Sequence, residues 1–460
     1  MAGVRNLLVL CLFAVLLFSD VVDCKRARSR RKGSRRSSRA EVSPEPEVLR
    51  PTRSRRTRYP SSRRVSEDCV IKYDSVVNGH IHSLIVGPAD QEFLYPAMEA
   101  NGRILRIPAG KEIVAACPGK GNGLLLNGQT SSTVTCQKGK LYFGNSVIKW
   151  SDLGCESKPR PSVERVLASC GKASSSSSSL PLRGTSYSVE WPIAGDLAVP
   201  QISICFNEDT ETALYTHHKI HGRYIAAKTV DPDRPGFKKE KMFSVRIENV
   251  YGKDIQKSLF LELLEDRSHL TAKNEHYLAR GHLAPDSDFV LEPEQDATYF
   301  YANVVPQWQA INNGNWKSLE NSVRELAENR GRTLEVWTGI YDILHLPSAS
   351  GESVELFLGL SEKQRLVPVP ALMWKVVHDP ASKTAIAIVA VNDVKGLGTG
   401  SNPSIDLHEP PCTDLCSEVA WVDWDTSDLS SGLTFCCSVP EIRKKIPVVP
   451  NLGSVGILYS

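Results

Sequence analysis

Short apolar stretches, broken every few residues by Gly, Asn or Pro, fill residues 69–156. This spacing is typical of short strands joined by tight turns, so it predicts an all-β unit. The stretches are SLIVG, RILRIPAG, EIVAACPG, GLLLNG, STVTCQKGKLYF and SVIKW. We interpret residues 65–156 as an accessory or packing domain.

Residues 157–460 mix strand and helix patterns. Strand patterns occur in ALYTHHKI (213–220), in LEVWTGIY (334–341) and in two apolar runs around PASK (380–383), a hairpin signal. In NWKSLENSVRELAENRGR (315–332) the apolar side chains fall on one helix face, and Gly331 is a natural stop. Because strands and helices do not alternate, the sequence predicts an α+β domain over residues 157–460. The serine tract at 174–179 is either a linker or a loop near the start of this domain.

The N-terminus has the pattern of a secretory signal peptide. The apolar run LLVLCLFAVLLF (7–18) follows a short basic start and is too short for a comfortable membrane span. We therefore expect residues 1–24 to be removed and the protein to be secreted. No later run of 18 or more apolar residues occurs, so no membrane anchor is expected.

Residues 25–64 form a basic arm with 16 Lys or Arg and three acidic residues. Its low apolar content predicts disorder. The arm is either a tether to nucleic acid or another anionic surface, or a propeptide or solvated spacer, and we favour the second hypothesis. The remainder of the chain is net acidic, which argues against attraction of the whole surface to polyanions.

Ten cysteines remain after residue 24, and an even number in an exported chain predicts disulfides. Two bridges are expected within the β-rich unit, among Cys69, Cys117, Cys136 and Cys155. The alternative for the last four cysteines is a zinc site, built from Cys412, Cys416, Cys436 and Cys437. Adjacent cysteines cannot easily both face one tetrahedral ion, so disulfides are favoured there too.

Candidate chemistry begins at Arg280-Gly281-His282. A histidine can take a proton from water near neutral pH, an arginine can bind phosphate through its planar fork, and a glycine lets an anion approach the backbone. This triplet alone is weak support for a site. Further along, Asn312 offers an amide oxygen of the kind magnesium accepts, and Glu320 lies where a carboxylate can order the waters of such an ion.

These motifs resemble those of the DNA/RNA non-specific endonucleases with the ββα-metal fold, a family that includes bacterial secreted nucleases and mitochondrial endonuclease G. The family pattern is roughly D-R-G-H, then N-x-x-P-Q, then N-x-G-x-W-x-x-x-E. It is matched, within about residues 200–440, by Arg280-Gly281-His282, Asn303, Pro306-Gln307, Asn312, Gly314, Trp316 and Glu320. The resemblance implies a ββα-metal nuclease domain with a mixed, largely antiparallel sheet, here preceded by a small disulfide-bonded all-β domain.

The resemblance also implies chemical roles. His282 corresponds to the general base that activates water, Asn312 to the direct magnesium ligand, and Glu320 to a carboxylate that hydrogen-bonds metal-bound water. Mg²⁺ is the expected cofactor, with Mn²⁺ as a substitute. The expected substrates are DNA, RNA or both, in double-stranded form, cut with little sequence specificity to leave 5′-phosphates.

Other residues have supporting roles in this interpretation. Arg280 and Asn303 are expected to support the phosphate and the site, and Arg234 to steady the phosphate, although its spacing is loose. Gln307 is expected to contact substrate. Trp308 is expected either to stack on a base or to complete the core.

Several residues near these motifs have open roles. Asp286 and Asp288 either supply charge to the site or only cap a loop. One histidine of the His217-His218 pair is expected to pack inward and form a hydrogen bond. Ala279 occupies the position of the family's usual Asp, a departure that removes neither the base nor the metal ligand.

Three functions compete at this point. The first is a secreted, magnesium-dependent, sugar-non-specific endonuclease. The second is a catalytically inactive extracellular protein that binds nucleic acid, which the intact His282, Asn312 and Glu320 argue against. The third is a disulfide-rich structural protein, supported only by the β-rich unit.

Overall fold

The computed structural model describes residues 67–73, 76–77, 80–88, 91–172, 178–229, 234–266, 268–270, 275–359, 361, 363–394 and 410–460. The predicted signal peptide, the basic arm and most of the serine tract lie outside these residues. The strands and helices of the fold all belong to one compact unit, Arg63–Ser460.

The first part of this unit is built of short strands, as the turn-rich pattern predicts. They are β1 (Cys69–Lys72), β2 (Val76–Val77), β3 (His80–Ile81), β4 (Leu84–Gly87), β5 (Glu92–Phe93), β6 (Ala97–Glu99), β7 (Gly102–Ile107), β8 (Glu112–Ala116), β9 (Ser131–Gln137), β10 (Lys140–Phe143) and β11 (Ser146–Ile148). They pair into a three-stranded sheet in the order β1-β7-β6, a six-stranded sheet in the order β11-β10-β9-β8-β4-β5, and the ribbon β2-β3. The predicted two bridges are present as Cys69–Cys136 and Cys117–Cys155.

The second part contains a large sheet with helices. Its strands are β12 (Ser162–Gly171), β13 (Arg183–Ala194), β14 (Leu197–Asn207), β15 (Thr212–His221), β16 (Leu278–His282), β17 (Val304–Trp308), β18 (Thr333–Ile343), β19 (His345–Pro347), β20 (Ser353–Glu355), β21 (Pro370–Asp379), β22 (Thr384–Val391), β23 (Thr434–Cys437) and β24 (Gly456–Ile457). Its helices are α1 (Gly222–Ile225), α2 (Ile247–Val250), α3 (Lys253–Leu264), α4 (Glu292–Asp296), α5 (Gln309–Asn313), α6 (Asn315–Arg330) and α7 (Val439–Lys445).

The large sheet has nine strands in the order β12-β13-β14-β15-β18-β21-β22-β23, with β24 added beside β22. Every neighbouring pair is antiparallel except β22 and β24, which run parallel. At one edge, β12 carries a bulge between Arg165 and Ser169. The α+β class and the mixed, largely antiparallel sheet are therefore confirmed.

Local patterns account for the central elements. The hairpin β21–β22 forms around PASK, and its apolar runs are buried along nearly their whole length. In α6 the buried positions include Trp316, Leu319 and Val323, the one-sided stripe expected of a surface helix. The helix ends at Gly331, whose φ of 59° is left-handed and suits glycine.

The later cysteines are also paired. Cys412–Cys437 and Cys416–Cys436 are disulfides, so the disulfide hypothesis replaces the zinc alternative at this group. Both bridges attach to the edge strand β23. A fifth bridge, Cys170–Cys205, joins β12 to β14.

Side-chain contacts connect the two domains that meet at the predicted boundary near residue 157. Tyr95 donates from its hydroxyl to Glu294 Oε1 over 2.7 Å, and Lys219 Nζ lies 3.1 Å from Glu92 Oε1. The sheets change at this boundary, since β1 to β11 form their own sheets and β12 begins the large one. The accessory unit is thus packed directly on the domain that carries the candidate chemistry.

Within the described ranges, no helix combines the length and apolar character needed to cross a membrane.

Candidate active site

Two antiparallel strands and two consecutive helices carry the predicted site. In the β16–β17 pair, Arg280 lies opposite Pro306 and His282 lies opposite Val304. The chain then enters α5 and α6 directly. Gly281 permits this packing, because a Cβ at that position would lie 2.5 Å from Gln307 Oε1. Gly281 therefore allows β16 to pack closely on the side chain of Gln307. The sequence had instead predicted that this glycine lets an anion approach the backbone.

The imidazole of His282 lies in an aromatic environment. Its ring centroid is 5.2 Å from that of Phe237 and 5.1 Å from that of Tyr299. Its Nε2 atom is buried and has no hydrogen-bond partner among the described residues. Burial lowers the pKa of His282 to about 4, against the opposing influence of Asp286. The imidazole is therefore neutral at pH 7, with a nitrogen available to accept a proton.

Arg280 lies two residues before His282, so both side chains project from the same face of β16. The guanidinium carbon is 5.4 Å from the ring centroid of Phe237, 5.2 Å from that of Tyr251 and 5.5 Å from that of Tyr301. These rings hold the cation without neutralising it. Arg280 is consequently positioned to bind an anion beside the imidazole.

Arg234 reaches the same region in spite of its loose sequence spacing. Its Nε atom lies 3.7 Å from Asp286 Oδ2, and Tyr299 donates from its hydroxyl to that same oxygen over 2.9 Å. The charges of Asp286 and Arg234 both act on the pKa of His282. Asp286 therefore supplies charge to the site, the functional alternative among its two expected roles.

Glu320 lies on α6 beside a buried lysine. Burial raises the pKa of Glu320 to about 7, opposed by Lys375 and reinforced by Asp288. Lys375 Nζ donates to Thr338 Oγ1 over 2.6 Å and lies 5.2 Å from the ring centroid of Trp316. Sequence reasoning missed Lys375, although a single lysine within the apolar run ALMWKVV was a signal for it.

Asp288 joins two further residues behind the site. Its Oδ2 atom lies 2.8 Å from His218 Nε2, and its Oδ1 atom accepts a hydrogen bond from Arg324 Nη1 over 3.0 Å. Burial opposes ionisation of Asp288, but His218 and Arg324 lower its pKa overall. The inward-packing histidine is thereby confirmed as His218. Asp288 supports this network instead of capping a loop, and Arg324 pairs with it.

Asn312 lies on the short helix α5, which is separate from α6 and ends at Gly314. Its neighbour Asn313 anchors this helix by donating to both carboxylate oxygens of Glu275, over 3.1 and 3.0 Å. The side chain of Asn312 is half-buried, and no hydrogen bond engages its amide within the described part of the chain. An amide oxygen that no described residue engages is a donor of the kind that a hydrated hard cation accepts.

Asn303 supports the fold of the site and not a phosphate. Its Oδ1 atom accepts from Ala284 N over 3.0 Å, and its Nδ2 atom donates to the carbonyls of Ala284 and Thr298 over 2.8 and 2.9 Å. The side chain is fully buried. It therefore fixes the turn that follows His282, and the phosphate-supporting part of its expected role does not fit.

The predicted substrate contacts of Gln307 and Trp308 are corrected by their burial. Gln307 is 0% exposed beneath Gly281, and Trp308 is 2% exposed with its ring centroid 6.1 Å from that of Phe260. Neither side chain presents a surface to a base. Trp308 completes the core, the second of its two expected roles.

Two strands and two helices that carry a neutral imidazole, an arginine, an amide and a carboxylate, with Arg234 beside them, define a nuclease of the ββα-metal class. A sequence model described as DNA/RNA non-specific endonuclease matches residues 183–442, more than half of the chain. The chain belongs to the DNA/RNA non-specific endonuclease family, and its catalytic class is that of a non-specific endonuclease.

Individual relatives agree with this family. The chain is 27% identical over 388 residues to a salivary endonuclease of Lutzomyia longipalpis, which covers 84% of this chain and 85% of that one. It is 30% identical over 353 residues to salivary protein Tsal2A of Glossina morsitans morsitans, covering 75% and 82%. It is 30% identical over 246 residues to the mitochondrial nuclease EXOG of Mus musculus, covering 51% and 62%.

Proposed function

We propose that this protein is a secreted, magnesium-dependent endonuclease that hydrolyses phosphodiester bonds of DNA and RNA, double-stranded substrates included. The observation that carries the proposal is the neutral imidazole of His282, whose buried Nε2 atom has no partner among the described residues, near the cations Arg280 and Arg234. A base without a partner next to anion-binding groups suits hydrolysis of a phosphate ester.

In the proposed reaction, His282 Nε2 removes a proton from water, and the oxygen attacks phosphorus in line with the leaving 3′ oxygen. The guanidinium groups of Arg280 and Arg234 offset the negative charge that develops on the equatorial oxygens. Departure of the 3′ oxygen leaves the phosphate on the 5′ end of the product. Every group assigned to this step acts on phosphate and none on a base edge, which supports low sequence specificity.

Nucleases of this family are metal-dependent. We assign Asn312 as the direct ligand and Glu320 as the carboxylate that orders the ion's waters, because no described residue engages the amide of Asn312 and Glu320 lies on the helix that follows α5. Oxygen donors of this kind favour Mg²⁺, and Mn²⁺ is the expected substitute. A bound ion supplies positive charge that stabilises the leaving oxygen.

Two findings support an extracellular location. Salivary proteins are among the relatives, and five disulfides are formed within the described residues. Disulfides persist in oxidising compartments outside the cytosol. The EXOG relatives are mitochondrial, which makes the location of this protein a question for experiment. Assaying the culture medium of expressing cells for the protein measures secretion directly.

The test is cleavage of plasmid DNA and long duplex RNA by the purified protein, with Mg²⁺ or with EDTA. We expect cleavage only with the ion, and a loss of two to four orders of magnitude, about the usual contribution of a general base, in His282→Ala. His378→Ala is the matched control, because His378 lies beside Glu335 and outside the site. Salt-sensitive binding without any cleavage by the wild type would establish the inactive binding protein instead.

A further inference from the structure

The backbone of residues 227–229 is held from both sides. From the β-rich unit, Arg103 donates through Nε to the carbonyl of Ala227 and through Nη2 to that of Lys228, each over 2.9 Å. From the catalytic side, Thr229 N donates to Val290 O over 2.9 Å, and Gln295 Nε2 donates to Thr229 O over 2.7 Å. The segment therefore has a fixed position that depends on the accessory unit.

The side chain of Lys228 points toward the candidate site. It lines a cavity of about 110 Å³ together with Arg234, Asp286 and Tyr299. The side chain is half-buried, and its ammonium forms no ion pair with any described residue. Burial lowers the pKa of Lys228, and Arg324 lowers it further, while Asp286 opposes them. Because Asp286 also acts on His282, Lys228 and the base lie around the same carboxylate.

A half-buried cation that no described residue pairs, and that lines this cavity with Arg234 and Asp286, is suited to bind an anionic ligand. We propose that Lys228 binds a phosphate of the nucleic acid next to the scissile one, and that Arg103 of the β-rich unit is the positioning residue that holds Lys228 in place. This inference rests on the proposed nuclease function and gives the accessory unit a part in substrate binding.

The geometry of Arg103 explains why the accessory unit matters here. A guanidinium is a rigid planar fork, and here it spans two consecutive carbonyls. Removing both donors leaves two carbonyl groups without these partners and frees a segment whose side chain must meet a phosphate. Because binding groups act only at the correct distance, a shift of this segment weakens substrate binding before it alters the chemistry at His282.

The first measurement is steady-state cleavage of a fluorophore-labelled DNA duplex at saturating Mg²⁺. Lys228→Gln is expected to raise KM about tenfold with little change in kcat, as for the loss of one charge-assisted phosphate contact. Lys228→Arg keeps the charge and should retain most of the affinity. The slope of log KM against log salt should also become shallower by about one in Lys228→Gln.

The second measurement tests whether Arg103 acts through Lys228. Arg103→Met keeps the length of the side chain but removes its donors, and it should raise KM as Lys228→Gln does. In a double-mutant cycle, Arg103→Met should add nothing once Lys228 is Gln. Arg106→Met is the matched control on the same strand, because Arg106 pairs with Glu99 within the accessory unit, and it should leave KM unchanged.

The outcomes separate the two proposals. Absence of cleavage by the wild type overturns the nuclease function itself. Cleavage by the wild type with an unchanged KM in Lys228→Gln overturns only the phosphate site, and additive effects in the cycle overturn the link from Arg103 to Lys228. Thermal unfolding checks that each variant is folded. If Arg103→Met is unfolded, Arg103→Lys takes its place in the cycle, with an intermediate KM expected because one ammonium replaces the planar two-nitrogen fork.

Discussion

His282 shows how the surroundings of a single side chain set its chemistry. The imidazole has aromatic neighbours, and no carboxylate of the described residues contacts Nε2, so burial dominates its pKa. A depressed pKa means that the base form persists under mildly acidic conditions. The low pKa also makes the folded state less stable as the pH falls from 6.5 toward 4. In this range the unfolded chain takes up the proton at its ordinary pKa of 6.5, whereas the folded chain does so only near 4.

We therefore predict that His282 titrates far below an ordinary histidine. In the metal-free protein its imidazole signal in an NMR pH titration should move near pH 4, because burial disfavours the charged ring. Comparison with the spectrum of His282→Ala assigns the signal. A midpoint near 6.5, the ordinary histidine pKa, would show that water reaches the ring freely, and would remove the physical basis for its role as a base.

At the scale of the element, α5 and α6 are divided by Gly314, and this division presents Asn312. A Cβ at Gly314 would lie 2.5 Å from the carbonyl oxygen of Ser431 and 2.7 Å from that of Ala310. Both obstacles are backbone atoms, which yield only if the elements themselves move. At the other end of α6, a Cβ at Gly331 would meet no atom within 4 Å.

These two glycines provide a matched pair of substitutions. Gly331→Ala should cost about 1 kcal/mol of unfolding free energy, from the left-handed backbone alone, and leave kcat unchanged. Gly314→Ala should be more destabilising and should lower kcat on the order of a hundredfold, since α5 carries the proposed metal ligand. Denaturant unfolding and steady-state kinetics measure both effects. Equal kcat values for the two variants would show that the geometry of the α5–α6 junction does not affect catalysis.

Local patterns predicted the elements better than their connections. The stripe of α6, its stop at Gly331 and the β21–β22 hairpin all follow from neighbouring residues. The break at Gly314 depends on a carbonyl from a distant segment, which no local pattern contains.

The candidate site shows the same division. The motif identified His282 and Arg280 as members of one site, and the structure places them two residues apart on β16. The burial of Trp308, and the pairing of Asp288 with Arg324, depend on tertiary packing and could not be read from spacing. Arg234 was placed beside Asp286 only by the fold.

At the scale of the whole molecule, the five disulfides of the described residues are a major part of the stability. They close loops with sequence separations of 67, 38, 35, 25 and 20 residues. Each native bridge contributes about 2–4 kcal/mol, whereas the net stability of a folded protein is about 5–15 kcal/mol. The free energy lost by removing all five bridges is therefore comparable to the entire free energy of unfolding.

We predict that the fully reduced, denatured chain does not regain its native structure under reducing conditions. Circular dichroism and cleavage activity after dilution from denaturant, with and without a glutathione redox buffer, measure this. The oxidising buffer should restore both signals. Recovery of full activity with all cysteines still reduced would show that packing of the core alone is sufficient.

The two margins of the nine-stranded sheet are protected in different ways. On β12 a bulge interrupts the outer row of amide and carbonyl groups, and Glu164 and Arg165 lie exposed beside it. On β23 the adjacent Cys436 and Cys437 are both bonded to the segment that contains Cys412 and Cys416, so two disulfides hold that segment against this strand. Neither margin offers a flat, uninterrupted template for another chain. Concentrated solutions of the protein should consequently resist fibril growth by strand addition.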